Sequence, residues 1–212
     1  MLILGINTVQ DACEAALVSA GKIVRAHSEP MEQGHDTRLG PVVAEAMSGH
    51  RFDDLTRVAV IVGPGSFTGV RVGVSFARGL SLSLDIPAVG VTSLESLGGL
   101  PRDRRVLALL PAKRRPPERT WWAQILEHGA GASPPFEAVE ETLAELAKTV
   151  DVVCGGLDSA PNLGAERIIA SPSAAAAAIF AERLGDGDLP APRPVYVREP
   201  DAKPQINPVR RP

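Results

Sequence analysis

Apolar residues cluster in three short runs near the N-terminus, at residues 2–6, 15–19 and 22–26, with Gly21 between the last two. That pattern predicts three antiparallel strands in a meander. Past the polar turn EQGHDT, the residues Leu39, Val42, Val43, Ala46 and Met47 recur at helical spacing on one face, and Gly49 supplies a stop;. Pro41 belongs near the first turn of that helix, because in the interior it would remove a hydrogen bond and clash with the preceding turn. Residues 57–63 then read as a buried strand, 66–84 as a second helix and 87–91 as a further strand. Strand, helix, strand in this order implies parallel pairing.

A Gly/Pro and charge cluster, GGLPRDRR, separates this first lobe, residues 1–100, from a second, residues 101–188;. The second lobe starts with a strand at 106–110. A basic, proline-containing link, PAKRRPPER, leads to a strand at 121–126, which sets Trp121 and Trp122 on opposite faces;. Together they predict a hairpin with a long tip. Residues 140–148 read as a helix, 152–154 as a buried strand ending at Gly155 and Gly156, and 173–184 as an alanine-rich helix with Pro172 at its start. From 189 to 212 the chain holds seven prolines, so this tail is expected to be extended, with a short strand at 195–197;. The fold class is mixed α/β.

Composition narrows the function classes. With 22 Lys and Arg against 25 Asp and Glu in 212 residues, the formal net charge is -3, so no global field draws the molecule to nucleic acid or an anionic membrane;. Two distant cysteines, Cys13 and Cys154, form neither a CxxC nor a metal-ligand pair, which suits a reducing compartment;. No run is long enough to span a bilayer and none has the pattern of a signal peptide. A cytoplasmic protein without a membrane partner is the expectation.

The stretch GPGSFTGVRVG, residues 63–73, combines a glycine turn with the start of the second helix, a common setting for a phosphate;. Its spacing fails both nucleotide templates. Gly69 is followed by Val70 and Arg71 where a P-loop needs Lys and Ser or Thr, and Thr68 stands where G-x-G-x-x-G needs its last glycine;. Ser66 lacks the G-x-S-x-G frame of a nucleophile elbow and reads as a helix N-cap. Further along, Gly69, Gly73, Ala77 and Ser81 recur every fourth residue as a strip of small side chains, which would let another helix approach closely;. Periodicity alone leaves two readings open: an internal helix packed between sheet and first helix, or a subunit interface.

Residues 63–95, GPGSFTGVRVGVSFARGLSLSLDIPAVGVTSLE, resemble the signature of the bacterial TsaB family of tRNA threonylcarbamoyladenosine synthesis. LILGINTVQDACEAALV at the N-terminus and PVYVREPDAKP near the end resemble the family too, whereas the middle of the second lobe matches weakly. The resemblance implies two actin-like lobes of the RNase-H-like (ASKHA) type, the second reduced, and an accessory subunit rather than a catalyst. Family members pair with the catalytic paralogue TsaD through the two first-lobe helices, and a small ATPase, TsaE, joins the assembly. On that basis the partner interface is expected at Leu39, Val42, Val43, Ala46, Met47, Phe67, Gly69, Val70, Gly73, Val74, Ala77 and Ser81. Contact with tRNA would come through the complex, self-association through the same surface, and any ATP and magnesium in the complex with partners rather than on this chain alone.

Two departures weaken an independent actin-like hydrolase or kinase, which is the runner-up reading. Asn7 stands where the family's first strand usually ends in an aspartate, and an amide is a poorer ligand for a hard cation;. Pro111, Ala112 and Lys113 stand where the second-lobe hairpin commonly begins Asp-Ala-Arg. His35 has Leu39, not a second histidine, four residues on, so it reads as a surface or capping residue rather than a metal ligand. His27, His50 and His128 gain nothing from their neighbours. The basic group Arg102, Arg104, Arg105, Lys113, Arg114, Arg115 and Arg119 beside the tryptophans reads as a solvated loop in preference to an RNA contact. Gly155 and Gly156 fit a tight strand-to-loop turn as well as a nucleotide border. A peptidase, the third class, has neither a nucleophile triad nor paired metal ligands to support it.

Overall fold

A computed structural model describes residues 1–112, 119–158, 160–185, 187 and 189–197. Strand β1 (Ile3–Gln10) is buried along almost its whole length, polar Asn7 and Thr8 included. Only a strand covered on both faces can be so, and β1 is accordingly the middle of a five-stranded sheet. With β2 (Ala12–Ser19), β3 (Lys22–Pro30), β4 (Arg57–Ile61) and β5 (Ala88–Val91), the order is β3-β2-β1-β4-β5. The first three strands pair antiparallel and the last two join in parallel, as the apolar pattern predicts. All three meander strands outrun the apolar runs that signalled them. Their extra stretches are broken by polar or charged residues, as at Asn7 opposite Glu14 and Glu14 opposite Ser28, so the ladder continues where the apolar run stops.

Helix α1 (His35–Ala46) and helix α2 (Phe67–Leu84), which lies between β4 and β5 in sequence, cover one face of this sheet. Pro41 is the seventh residue of α1, not part of its first turn. It is exposed, as is Thr37, whose carbonyl loses its usual amide donor on the side where water can replace it;. Arg38 of α1 forms a bidentate pair with Glu29 of β3, and these hydrogen bonds hold the Glu29 carboxyl down to about 2;.

The second sheet holds β6 (Val106–Pro111), β7 (Trp121–Glu127), β8 (Ala130–Gly131), β9 (Phe136–Ala138), β10 (Val152–Gly155) and β11 (Glu166–Ile169). β6 and β7 form the predicted antiparallel pair, and the order is β11-β10-β6-β7-β8 with β9 also on β7. The sequence reading misses β8, β9 and β11, which are two to four residues long, too short for a strand-length apolar run, and β8 and most of β11 are exposed as well. Trp121 and Trp122 do lie on opposite faces. Trp121 joins the core with Leu107, Leu109 and Leu143 of α3 (Glu140–Ala147), while Trp122 packs with Val106, Leu110 and Leu126. Lys113, Arg114 and Arg115 lie outside the described residues.

Helix α4 (Ala174–Arg183) follows the second sheet in sequence yet packs on β1, β2 and β4 of the first. The division at residue 100 is therefore not a division in space. Two positions on β1 fix the layers: a Cβ on Gly5 would lie 1.9 Å from the Ala174 carbonyl oxygen of α4, whereas Thr8 touches α2. Residues 5 and 8 point to opposite sides of a strand, so the sheet is sandwiched between α1 with α2 and α4. From the same side as Gly5, the buried Arg57 guanidinium donates to the carbonyls of Ala181 and Leu184, where α4 ends and its dipole is negative;.

The two sheets are joined by polar and apolar contacts around residues 92–97. Thr92 and Glu95 form a reciprocal capping box, Thr92 Oγ1 donates to Gln124 Oε1 at 2.8 Å, and Gly131 N donates to Glu95 Oε1 at 2.9 Å;. Leu94 and Leu97 complete the core on that side of the second sheet.

Both cysteines are free and buried. Burial pushes the Cys13 thiol up to about 11, with Glu29 adding to the shift, and burial alone raises Cys154 to about 11. At pH 8, three units below, about one thiol in a thousand is ionised. We expect both to stay silent toward a colorimetric disulfide reagent at pH 8 until urea unfolds the protein, whereupon two equivalents react. A native thiol reacting within minutes would contradict their placement.

Candidate functional site

The glycine turn of residues 63–69 is filled by the chain itself. A Cβ on Gly65 would lie 2.5 Å from the Val9 carbonyl oxygen, and one on Gly63 2.8 Å from that of Val195. Ser66 N donates to Val9 O at 2.9 Å, and Ser66 Oγ accepts from Gly69 N at 3.2 Å, the predicted N-cap;. These glycines serve close approach of the β1–β2 turn and of the C-terminal segment. Asn7 is likewise engaged: Nδ2 donates to Glu14 Oε2 at 2.9 Å and Oδ1 accepts from Val9 N at 3.1 Å. The same Glu14 oxygen accepts from Ala174 N at 3.2 Å, so a carboxylate of this chain sits at the α4 N-terminus, where an anion is favoured;. Gly155, with φ +138, lets β10 meet β6: its Cβ would lie 1.9 Å from Leu109 O;.

Most of the residues expected at a partner interface belong to the chain's own core. Leu39, Val42, Val43, Ala46 and Met47 are buried between α1 and the sheet, and Val70, Val74 and Ala77 between α2 and the sheet. Gly69 and Gly73 are the closest points of that contact: their Cβ atoms would lie 1.9 Å from Thr8 O and 2.5 Å from Thr8 Oγ1. The strip does let backbones approach closely, but the neighbour is β1, not another helix. Ser81 is half-buried, and its hydroxyl donates to Ile86 O where α2 ends. Of the twelve, Phe67 alone is exposed.

The opposite side of α2 carries a second four-residue period, Ser75, Gly79 and Ser83, all exposed. Half-buried Val72, Phe76 and Leu80 flank it, and Leu82 is 85 % exposed. α1 adds exposed Gly40 and Ala44, also four apart. A Cβ on Gly40 or Gly79 meets no atom within 4 Å. Apart from exposed Asp36, Arg38 and Glu45 on α1 and Arg71 and Arg78 on α2, the outer side of the two helices is thus small-sided and apolar, and it is uncovered among the described residues, the geometry that admits another helix layer;. Sequence reasoning missed it although the same period was visible, because two such strips share α2 and only burial tells them apart.

Other candidates dissolve into structure. His35 is buried at the first turn of α1, not on the surface, and its Nε2 has no hydrogen-bond partner among the described residues. No three His, Cys, Asp or Glu side chains converge on a metal position among those residues. Arg104 pairs with Glu166 and Arg105 with Glu127, which neutralises part of the basic group. No described helix is long and apolar enough to cross a membrane.

Against known proteins, the chain is 34% identical over 180 residues to the tRNA threonylcarbamoyladenosine biosynthesis protein TsaB of Escherichia coli, covering 78% of this chain and 76% of that one. This chain belongs to the TsaB family. The Bacillus subtilis TsaB is 36% identical over 46% of this chain and 43% of its own length. An uncharacterized Mycobacterium tuberculosis protein is 30% identical over 95% of this chain and 94% of its own. Residues 27–111 also match the family model of TsaD, tRNA N6-adenosine threonylcarbamoyltransferase. Among solved structures, YeaZ from Pseudomonas aeruginosa superposes with a TM-score of 0.71 at 26% identity, over 92% of this chain and 99% of that one. The TsaB fold seen here is the expected actin-like one, with two sheets.

Proposed function

We propose that this TsaB chain acts in tRNA threonylcarbamoyladenosine biosynthesis as an accessory subunit that docks a TsaD-like catalytic subunit on the outer face of α1 and α2. The observation that carries the reading is that face itself: exposed Gly40, Ala44, Ser75, Gly79 and Ser83 with Leu82 beside them, on a chain whose relative is a TsaB. The stretch matching the TsaD family model, residues 27–111, contains α1 and α2. A TsaD-like subunit would therefore present an equivalent helix layer, and two similar faces meet naturally about a pseudo-twofold axis. The same face would serve a homodimer of the isolated chain. A cytoplasmic complex with a TsaE-like ATPase and tRNA belongs to this reading. So does a chain that transfers no threonylcarbamoyl group itself, since Asn7, Glu14 and the glycine turn are all engaged within the fold.

The test is reconstitution. Threonylcarbamoyl transfer from an added activated threonylcarbamoyl donor to tRNA is measured with the TsaD-like and TsaE-like proteins of the same organism, with ATP and magnesium, in the presence and absence of this chain. We expect transfer to fall at least about tenfold without it, and no transfer by this chain alone. Modification of tRNA by the isolated chain would refute the accessory role.

A further inference from the structure

The C-terminal segment returns to the first lobe and delivers an aromatic residue to the end of the docking helix. Gly90 N donates to Pro190 O and Val195 N to Val62 O, each at 2.8 Å, which lays residues 190–197 along β5 and the end of β4. Tyr196 then reaches α2. Its ring lies 5.1 Å from that of Phe67, the first residue of the helix, and Arg71 one turn on donates from Nε to the Tyr196 hydroxyl at 3.0 Å. The Arg71 guanidinium carbon sits 3.7 Å above the centroid of Phe67 and 5.9 Å from that of Tyr196. All three side chains are exposed.

Held by both rings, this guanidinium has, among the described residues, only its Nε engaged in a hydrogen bond, so its two terminal nitrogens keep their donors for a further partner. A planar fork fixed in one orientation recognises a carboxylate with two parallel bonds and loses little side-chain freedom on doing so. Arg71 also stands four residues before Ser75, in line with Gly79 and Ser83, so it sits at one end of the small-residue strip, with Arg78, the other charge of α2, exposed further along. We propose that Arg71, clamped by Phe67 and Tyr196, is an anchor of the docking surface that takes a carboxylate of the TsaD-like subunit. This rests on the docking reading above. A charge clamped in one orientation at the end of the strip favours one direction and register of the partner. A protein carboxylate fits better than an RNA backbone: the guanidinium already occupies a face of the Phe67 ring on which a base would stack, and the net charge is -3;.

The experiment measures the dissociation constant between the full-length chain and the TsaD-like subunit for wild type, Arg71→Met, Arg71→Lys, Tyr196→Phe and the face control Leu82→Asp. Arg71→Met should weaken binding by about 10- to 100-fold, and Arg71→Lys should recover little of it, because lysine has no planar fork. Tyr196→Phe should cost a few-fold. Added salt should weaken wild type more than Arg71→Met. Thermal midpoints of the isolated variants should match wild type. If Leu82→Asp abolishes binding while Arg71→Met binds as wild type, the anchor is overturned and the docking face stands. If wild type itself does not bind the TsaD-like subunit, both fall. A loss of tRNA affinity with partner affinity intact, or a loss of binding that follows a lowered thermal midpoint, also overturns the anchor.

Discussion

Gly69→Ala is expected to cost the first lobe about 3 kcal/mol or more, the upper range for overpacking a closed contact. The added Cβ would stand 1.9 Å from the Thr8 carbonyl oxygen and 3.0 Å from its carbon, both backbone atoms of the central strand. Neither can swing away as a side-chain tip would, so α2 must lift from β1. Lifting it opens the layer that buries Val70, Val74 and Ala77, and it strains the hydrogen bond from Thr8 Oγ1 to Gly69 O at 2.7 Å. A urea midpoint shows the effect directly, with Gly79→Ala as the matched control. Position 79 is an exposed helix interior with nothing near its Cβ, so there alanine should stabilise by up to about 1 kcal/mol;. Equal midpoints for Gly69→Ala and wild type would mean that α2 does not meet β1 as described.

The same glycine shows what the sequence could and could not reveal. The strand and helix succession of the first lobe was legible because each strand carries an apolar run and α2 starts at a serine cap after a glycine turn. The small-residue strip at 69, 73 and 77 was legible too. Its neighbour was not. Close approach is a property of two surfaces, and the second surface, the backbone of Thr8, leaves no mark on the residues of α2. α4 was misplaced for a related reason: its alanines say that something packs tightly against them, but not that it is Gly5 of β1, about 170 positions earlier. The clamp of Tyr196 on Arg71 joins residues 125 apart, so a tail read only as proline-rich and extended gave no sign of reaching α2. Signals carried within one element were readable; pairings across the chain were not.

Gly79→Leu is expected to abolish complex formation, weakening the affinity for the TsaD-like subunit by about 100-fold or more, while leaving the isolated chain at least as stable as wild type. Stability is preserved because no atom lies within 4 Å of a Cβ at this position and leucine is a better helix former than glycine;. Docking is lost because Gly79 is the middle of the exposed strip between Ser75 and Ser83, and a branched four-carbon side chain there holds an incoming helix away from the flanking Phe76 and Leu80;. Gly73→Leu cannot make this distinction. Its Cβ would press on Thr8 and Val60 inside the lobe, so loss of the complex would follow from loss of the fold. Binding is read by calorimetry, with the mass of the isolated variant checked by light scattering so that self-association through the new leucine is seen. A Gly79→Leu chain that binds its partner with wild-type affinity would take the docking surface off this face of α2.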